Sequence, residues 1–277
     1  MALLTVILII LAFILIWPLI SGKAIEGRRF AYLRRLEEKR KSRVITLIDR
    51  RRGVSLFGVP FWEFIDIEDA EEILRAVRLT PKNVPIDLVI HTPGGLALAT
   101  EQIARTLLGH QAKVTVFIPH YAMSGGTLLA LAADEIVMDR RAVLGAVDPQ
   151  VQGLPAGAIL SVLGKKPAER IGDRTYILAD VAQKALGEIR QFVEEILSEN
   201  DYDSRTVKRV TETLVGGERT HDYPITFTQA KELGLRVSTS MPPEIYGLLR
   251  LYPPRRGTRS PVQYIPAPYR GPAASRS

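Results

Sequence analysis

Two glycine-bearing loops carry the residues best suited to chemistry. One is His91-Thr92-Pro93-Gly94-Gly95; the other runs from His120 to Thr127 and sets Ser124 directly before Gly125 and Gly126. A serine delivered by a strand into a glycine-flanked turn before a helix can present its hydroxyl as a nucleophile, because glycine lets the backbone turn tightly and approach a substrate closely. Unobstructed backbone N–H groups at a helix start can also receive a developing oxyanion, which makes Gly94, Gly95 and Gly125 the candidate donors. The plainer alternative is that Ser124 caps a helix and the glycines only turn the chain.

Stepping from these loops to what holds them, the residues on either side alternate in character. Short apolar runs at 44–48, 54–57, 85–91, 113–118 and 135–138 read as strands, and amphipathic stretches at 66–79, 96–108, 124–133 and 176–197 read as helices. The strands are almost continuous in apolar or β-branched residues, as expected for a parallel sheet covered on both faces, so the fold class is α/β. In such sheets ligands gather beyond the carboxyl ends of strands, so both loops are expected to face one crevice. The buried stripe of the long helix is expected to be Leu178, Val181, Ala185, Ile189, Phe192 and Ile196.

The net charge of +7 over 277 residues raises the question of nucleic acid, and its distribution answers it. Twelve basic residues fall between Lys23 and Arg52, and five arginines from Arg255 to Arg276 fall in the tail. Residues 2–20 are uncharged and long enough to cross a bilayer as a helix. With the positive charge following this span, the expectation is a single-pass membrane anchor with the remainder of the chain cytoplasmic; no nucleic-acid role is needed. The expected organisation is therefore a transmembrane anchor at 2–20, a basic juxtamembrane linker at 21–43, a folded domain at 44–250 and a disordered Pro/Arg-rich tail at 251–277. The chain has no cysteine, and its four histidines lack short ligand spacing, so no metal site is expected.

The order strand, Pro-Gly-Gly, helix, strand, Met-Ser-Gly-Gly, helix, strand, Asp-Pro-Gln resembles the Clp-protease/crotonase fold. More specifically, it resembles the membrane-anchored serine dehydrogenase proteinase family, related to signal peptide peptidase A. HTPGG, YAMSGGT, GAVDPQ, ADVAQKAL and THDYPIT carry this resemblance across roughly residues 44–237. It implies a serine peptidase acting on membrane-associated or unfolded polypeptides, with Ser124 attacking the scissile carbonyl, no cofactor, and a homo-oligomeric state.

The resemblance leaves the general base open. Relatives of signal peptide peptidase A use a lysine, for which Lys184 is the leading candidate and Lys165 and Lys166 are others; partial burial on the long helix would lower the pKa of Lys184. The Clp proteolytic subunit uses a Ser-His-Asp triad, and here Asp148 stands where its histidine is expected. In that case His221 serves as the base, oriented by Asp148 or Asp222. His91, His120 and Tyr121 are expected to line the crevice or fix its loops. Two other functions share the same fold: a crotonase-type acyl-CoA enzyme, which needs the oxyanion hole but no nucleophile, and a noncatalytic membrane scaffold.

Overall fold

The computed structural model describes residues 23–49, 65–217, 220–252 and 262–263. The expected anchor at 2–20, the expected strand at 54–57 and nearly all of the tail lie outside the described residues. Among the described residues no helix is long and apolar enough to cross a membrane.

In chain order the elements begin with helix α1 (residues 23–40), β1 (Arg43–Ile48), α2 (Ile67–Arg78), β2 (Ile86–His91), α3 (Ala97–Leu108) and β3 (Val114–Ile118). Then come β4 (Tyr121–Ala122), α4 (Gly125–Leu131), β5 (Glu135–Met138), β6 (Val143–Gly145), β7 (Gln150–Val151) and β8 (Leu154–Pro155). The remainder is α5 (Ala156–Lys165), α6 (Asp173–Glu199), α7 (Ser204–Val215), β9 (Pro224–Thr226), α8 (Phe227–Glu232), β10 (Val237–Ser238), α9 (Pro243–Arg250) and β11 (Val262–Gln263). The main sheet has the order β10-β5-β3-β2-β1-β11 and is parallel except for β11, which pairs antiparallel with β1. Strands β1, β2 and β3 are buried along their whole length, which is why they read as continuous apolar runs.

Helices cover both faces. The larger core lies on the side of α2, α3, α4, α6 and α7, with Ile45, Leu88, Val116 and Ile136 pointing into it. The opposite face, represented by Val44, Val89, Phe117 and Val137, is covered by Leu33 and Leu36 of α1 and by Ile245, Leu248 and Leu249 of α9. Each fully buried leucine contributes about 1.5–3 kcal/mol, so α1 is part of the folded body as well as a link to what precedes it. Its basic residues have structural work too: Arg40 forks onto the buried Asp87 through Nε at 2.5 Å and Nη2 at 3.1 Å, and Asp87 also accepts from Ser42 Oγ at 2.6 Å.

Three expectations need correction. Helix α5 falls in the stretch 153–173, which is rich in glycine, proline and charge and is not among the expected helices; Gly157 and Gly164 weaken its intrinsic signal, and packing of Ala156 and Ile159 against Ala179 and Ala182 of α6 holds it. The buried residues in the first half of α6 are Ala179 and Ala182, whereas Val181 is 44% exposed, so the apolar stripe is displaced from the one expected. Finally, part of the tail forms the edge strand β11.

Candidate active site

The two glycine loops do meet. Thr92 bridges Ala122, with Met123 N–H donating to Thr92 O at 3.0 Å and Thr92 N–H to Tyr121 O at 3.4 Å, which stitches the end of β2 to the segment carrying Ser124. Gly94 adopts φ +112°, and a β-carbon at that position would lie 2.8 Å from the Ser124 β-carbon and 3.1 Å from the Gly125 nitrogen. Only glycine combines that backbone angle with that approach.

Ser124 itself has φ +49° and ψ −116°, a strained conformation for a residue with a side chain, at the turn between β4 and α4. It occupies the position before the helix, yet its hydroxyl makes no capping hydrogen bond. The ordinary N-cap explanation therefore fails at the atom that matters. Thr127 locks the turn from behind: its hydroxyl lies 2.9 Å from Ala122 O and 2.8 Å from Gly145 O and accepts from Gly145 N–H at 3.1 Å.

Thr127 thereby ties α4 to a second, three-stranded sheet of order β4-β6-β9. This small sheet positions the functional side chains. Strand β4 runs parallel to β6, and β9 antiparallel to β6 in the register Val143↔Thr226, Leu144↔Ile225, Gly145↔Pro224. Ser124 lies two residues beyond β4, Asp148 three beyond β6, and His221 three before β9, all at the same end of the sheet. The β6–β9 pairing therefore brings the link carrying Asp148 and the turn carrying His221 to the same cleft. A turn closed by Tyr223 N–H to Thr220 O at 2.9 Å holds His221 there.

Ser124, Asp148 and His221 line one cleft of about 470 Å³, together with Gly95, Thr100, Gly125 and the apolar side chains of Leu96, Leu128, Val147, Ile189 and Phe192. Asp148 is 6% exposed. Burial pushes its carboxyl above the usual aspartate range, against the pull of His221 and of a hydrogen bond from Gln150. Gln150 Nε2 donates to Asp148 Oδ2 at 3.1 Å, while Asp148 Oδ1 and His221 Nδ1 are buried without a hydrogen-bond partner among the described residues. Two buried, unsatisfied atoms on one cleft, an acceptor on the carboxylate and a ring nitrogen on the imidazole, suit a carboxylate–imidazole pair.

The oxyanion candidates divide. Gly94 N–H is held by Thr92 Oγ1 at 3.2 Å, whereas neither Gly95 nor Gly125 donates a backbone hydrogen bond among the described residues. Gly95 and Gly125 line the cleft.

The structure does not bring the lysines in. Lys184 has a 69% exposed side chain, pairs with Asp180 at 2.6 Å and does not line the cleft. Its hydrogen bond to Asp180 raises the ammonium above the usual lysine range, opposite to what a general base needs. The reason is the displaced stripe of α6: the edge expected to bury Lys184 faces outward. Lys165, at the end of α5, reaches Ser161 Oγ at 3.4 Å on the surface, and neither it nor Lys166 lines the cleft. Asp222 follows His221 in the same turn but is not a lining residue, and His91, His120 and Tyr121 pack together at tilted and edge-on angles, with ring centroids 4.3 to 5.3 Å apart, and do not line the cleft. The sequence reading missed Thr92, Thr100 and Thr127, which carry no motif signal beyond adjacency to the glycine loops. Among the described residues no group of three or more His, Asp or Glu side chains is arranged to hold a metal ion.

A family model described as ClpP-like SDH-type serine proteinase matches residues 1–277. Two uncharacterized proteins of Methanocaldococcus jannaschii are similar along most of their length: one is 51% identical across 87% of this chain and 82% of its own, the other 49% identical across 92% and 89%. Among solved structures, a membrane-bound stomatin-specific protease aligns as a lysine-to-alanine mutant in complex with a substrate peptide, with TM-score 0.44 and 18% identity over 64% of this chain and 72% of that one. Its serine-to-alanine mutant aligns with TM-score 0.44 and 16% identity over 68% and 79%.

Proposed function

Since the chain belongs to the ClpP-like SDH-type serine proteinase family and is a serine peptidase, we propose that Ser124 is its nucleophile, His221 its general base and Asp148 the carboxylate that orients His221. The observation carrying this reading is that the non-capping Ser124 shares one cleft with His221 and Asp148 at the common end of the β4-β6-β9 sheet.

In the acylation step Ser124 Oγ attacks the scissile carbonyl carbon while His221 accepts the hydroxyl proton. The carbonyl oxygen becomes an oxyanion held by Gly95 and Gly125 N–H. Collapse of that intermediate breaks the C–N bond, His221 returns the proton to the departing amine, and the acyl group remains on Ser124. Water, deprotonated by His221, then attacks the ester and releases the carboxylate product, restoring the serine hydroxyl. Asp148 keeps the imidazole aligned and stabilises its protonated form.

Residues 2–20 act as a membrane anchor with the peptidase domain on the side bearing Lys23–Arg52, the cytoplasmic side by the charge rule. The substrates are membrane-associated or unfolded polypeptides, and the chain works as a homo-oligomer. The acyl-CoA and scaffold readings give way to peptidase family membership.

The test is cleavage of casein or a fluorogenic peptide by the full chain in detergent. Ser124→Ala abolishes turnover and fluorophosphonate labelling, His221→Ala lowers kcat by about 10²–10⁴-fold, and Lys184→Ala matches the parent. Undiminished cleavage by folded Ser124→Ala would sink the nucleophile assignment; parental activity in His221→Ala with loss in Lys184→Ala would move the base to lysine.

A further inference from the structure

Thr100 lies on α3, one turn beyond the Gly94-Gly95 loop, and is fully buried. A threonine within a helix ordinarily satisfies its hydroxyl by donating to a carbonyl one turn back, as the more exposed Thr106 does to Gln102 O at 2.7 Å on the same helix. Thr100 does not: its Oγ1 is buried and has no hydrogen-bond partner among the described residues. A native fold rarely leaves a buried hydroxyl unpaired, and where it does a ligand or a reacting group is a natural partner.

The surroundings of that hydroxyl say which partner. Thr100 lines the cleft with Ser124. A β-carbon built on Gly125 would lie 2.5 Å from Thr100 Oγ1 and 3.4 Å from Gly95 N, so the hydroxyl, the Gly95 amide and the Gly125 backbone converge on one small volume beside Ser124. Position 125 must be glycine for that convergence, because any side chain there would displace Thr100.

We propose that the Thr100 hydroxyl is a third donor to the oxyanion formed when Ser124 adds to the substrate carbonyl. The inference rests on the peptidase reading of the Ser124 site. The hydroxyl keeps its proton throughout; it turns to donate a hydrogen bond to the carbonyl oxygen as negative charge develops there, beside Gly95 and Gly125 N–H. Among the described residues no carbonyl competes for the hydroxyl in the resting state, so its strength goes to the transition state.

Thr100→Val replaces the hydroxyl by a methyl of similar size. In the full chain in detergent it lowers kcat for a fluorogenic peptide by about 10²-fold with KM within about twofold of the parent, because the interaction forms only in the transition state. Thr100→Ser restores most of the rate. Binding of a peptide aldehyde, whose adduct with Ser124 carries the same oxygen, weakens in parallel with kcat, whereas binding of an uncleaved peptide to the Ser124→Ala background is unaffected by adding Thr100→Val. If the valine variant is poorly folded, Thr100→Ala with Thr100→Ser as its matched control reads the same comparison. A parental kcat in a folded variant lacking the hydroxyl, a loss confined to KM, or a failure of serine to rescue overturns the assignment. The two readings fail separately: unchanged cleavage in Ser124→Ala removes the peptidase site, while loss in Ser124→Ala beside full activity in Thr100→Val removes only the third donor.

Discussion

The Gly94 Cα approaches Ser124 so closely that a β-carbon on Gly94 would stand 2.8 Å from the serine's own β-carbon. Gly94→Ala must therefore push Ser124 or the loop aside while also forcing alanine to φ +112°. The expected outcome is a loss of at least about 10²-fold in kcat/KM, the scale of a misplaced reacting group, with about 1–3 kcal/mol lower stability. Peptide hydrolysis and urea unfolding measure the two effects; parental values in both would show that the loop yields without cost.

Strain at Ser124 has the opposite sign for stability and function. Replacing Ser124 by glycine relieves a conformation worth about 1–3 kcal/mol but adds the unfolded-state freedom of glycine, about 0.5–1 kcal/mol. Ser124→Gly is expected to be inactive and more stable by about 1 kcal/mol, while Ser124→Ala, equally inactive, keeps the strain. A glycine variant less stable than the alanine variant in urea would refute a strained elbow.

Asp148 gives a pH-dependent prediction. Burial raises its folded-state pKa above the unfolded value, so the fold favours the protonated form. Below the unfolded pKa both states are protonated and no penalty exists; the penalty grows as pH rises through the folded pKa and is complete above it. Asp148→Asn, which can still accept from Gln150, is thus expected to melt higher than the parent at pH 7, with the gap closing as pH falls below the ordinary aspartate range. Its kcat falls by about 10²–10⁴-fold, because the amide cannot stabilise the imidazolium. A melting difference constant from pH 3 to 7 would contradict the burial account.

On the far face, Arg40 fixes α1 to β2 through the buried Asp87. The Arg40 side chain is 32% exposed, so solvent screens part of the interaction, and Arg40→Ala is expected to cost about 2 kcal/mol rather than the larger cost of a fully buried pair. Arg40→Lys recovers only part, since an ammonium cannot fork across both carboxylate oxygens. Urea denaturation decides; a cost under about 0.5 kcal/mol for alanine would show that Ser42 alone satisfies Asp87.

Much of this architecture is written locally in the sequence. The strands around Leu88 and Val116 announce themselves by apolar continuity, helix α2 by Asp66 and Asp69, which form its capping box, and the crevice by consecutive glycine loops. What could not be read locally depends on distant pairing. Asp148 and His221 are brought together by a three-residue ladder between β6 and β9, strands too short to show a period and 79 positions apart at Gly145 and Pro224, partners in the register. Lys184 looked suitable because a helical stripe drawn from Leu178 to Ile196 assumes one partner surface along the whole helix, whereas α6 meets α5 first and the main core later. The threonines escaped notice because their value lies in which carbonyl they touch, or do not touch.

The small β4-β6-β9 sheet also sorts the chain into stretches that tolerate a change of length and stretches that do not. Only Ala146 and Val147 separate Gly145 from Asp148, and only Asp222 and Tyr223 separate His221 from Pro224. Asp148 sits on the short link leaving β6 and His221 in the turn that leads into β9, so one inserted or deleted residue in either spacer would shift the acid or the base from its place in the cleft while leaving the sheet intact. The exposed β7–β8 hairpin tip at Gly153, where a β-carbon would meet nothing within 4 Å, has no such duty, and it is there that a tag or a reporter could be spliced into the chain without uncoupling the serine from its partners.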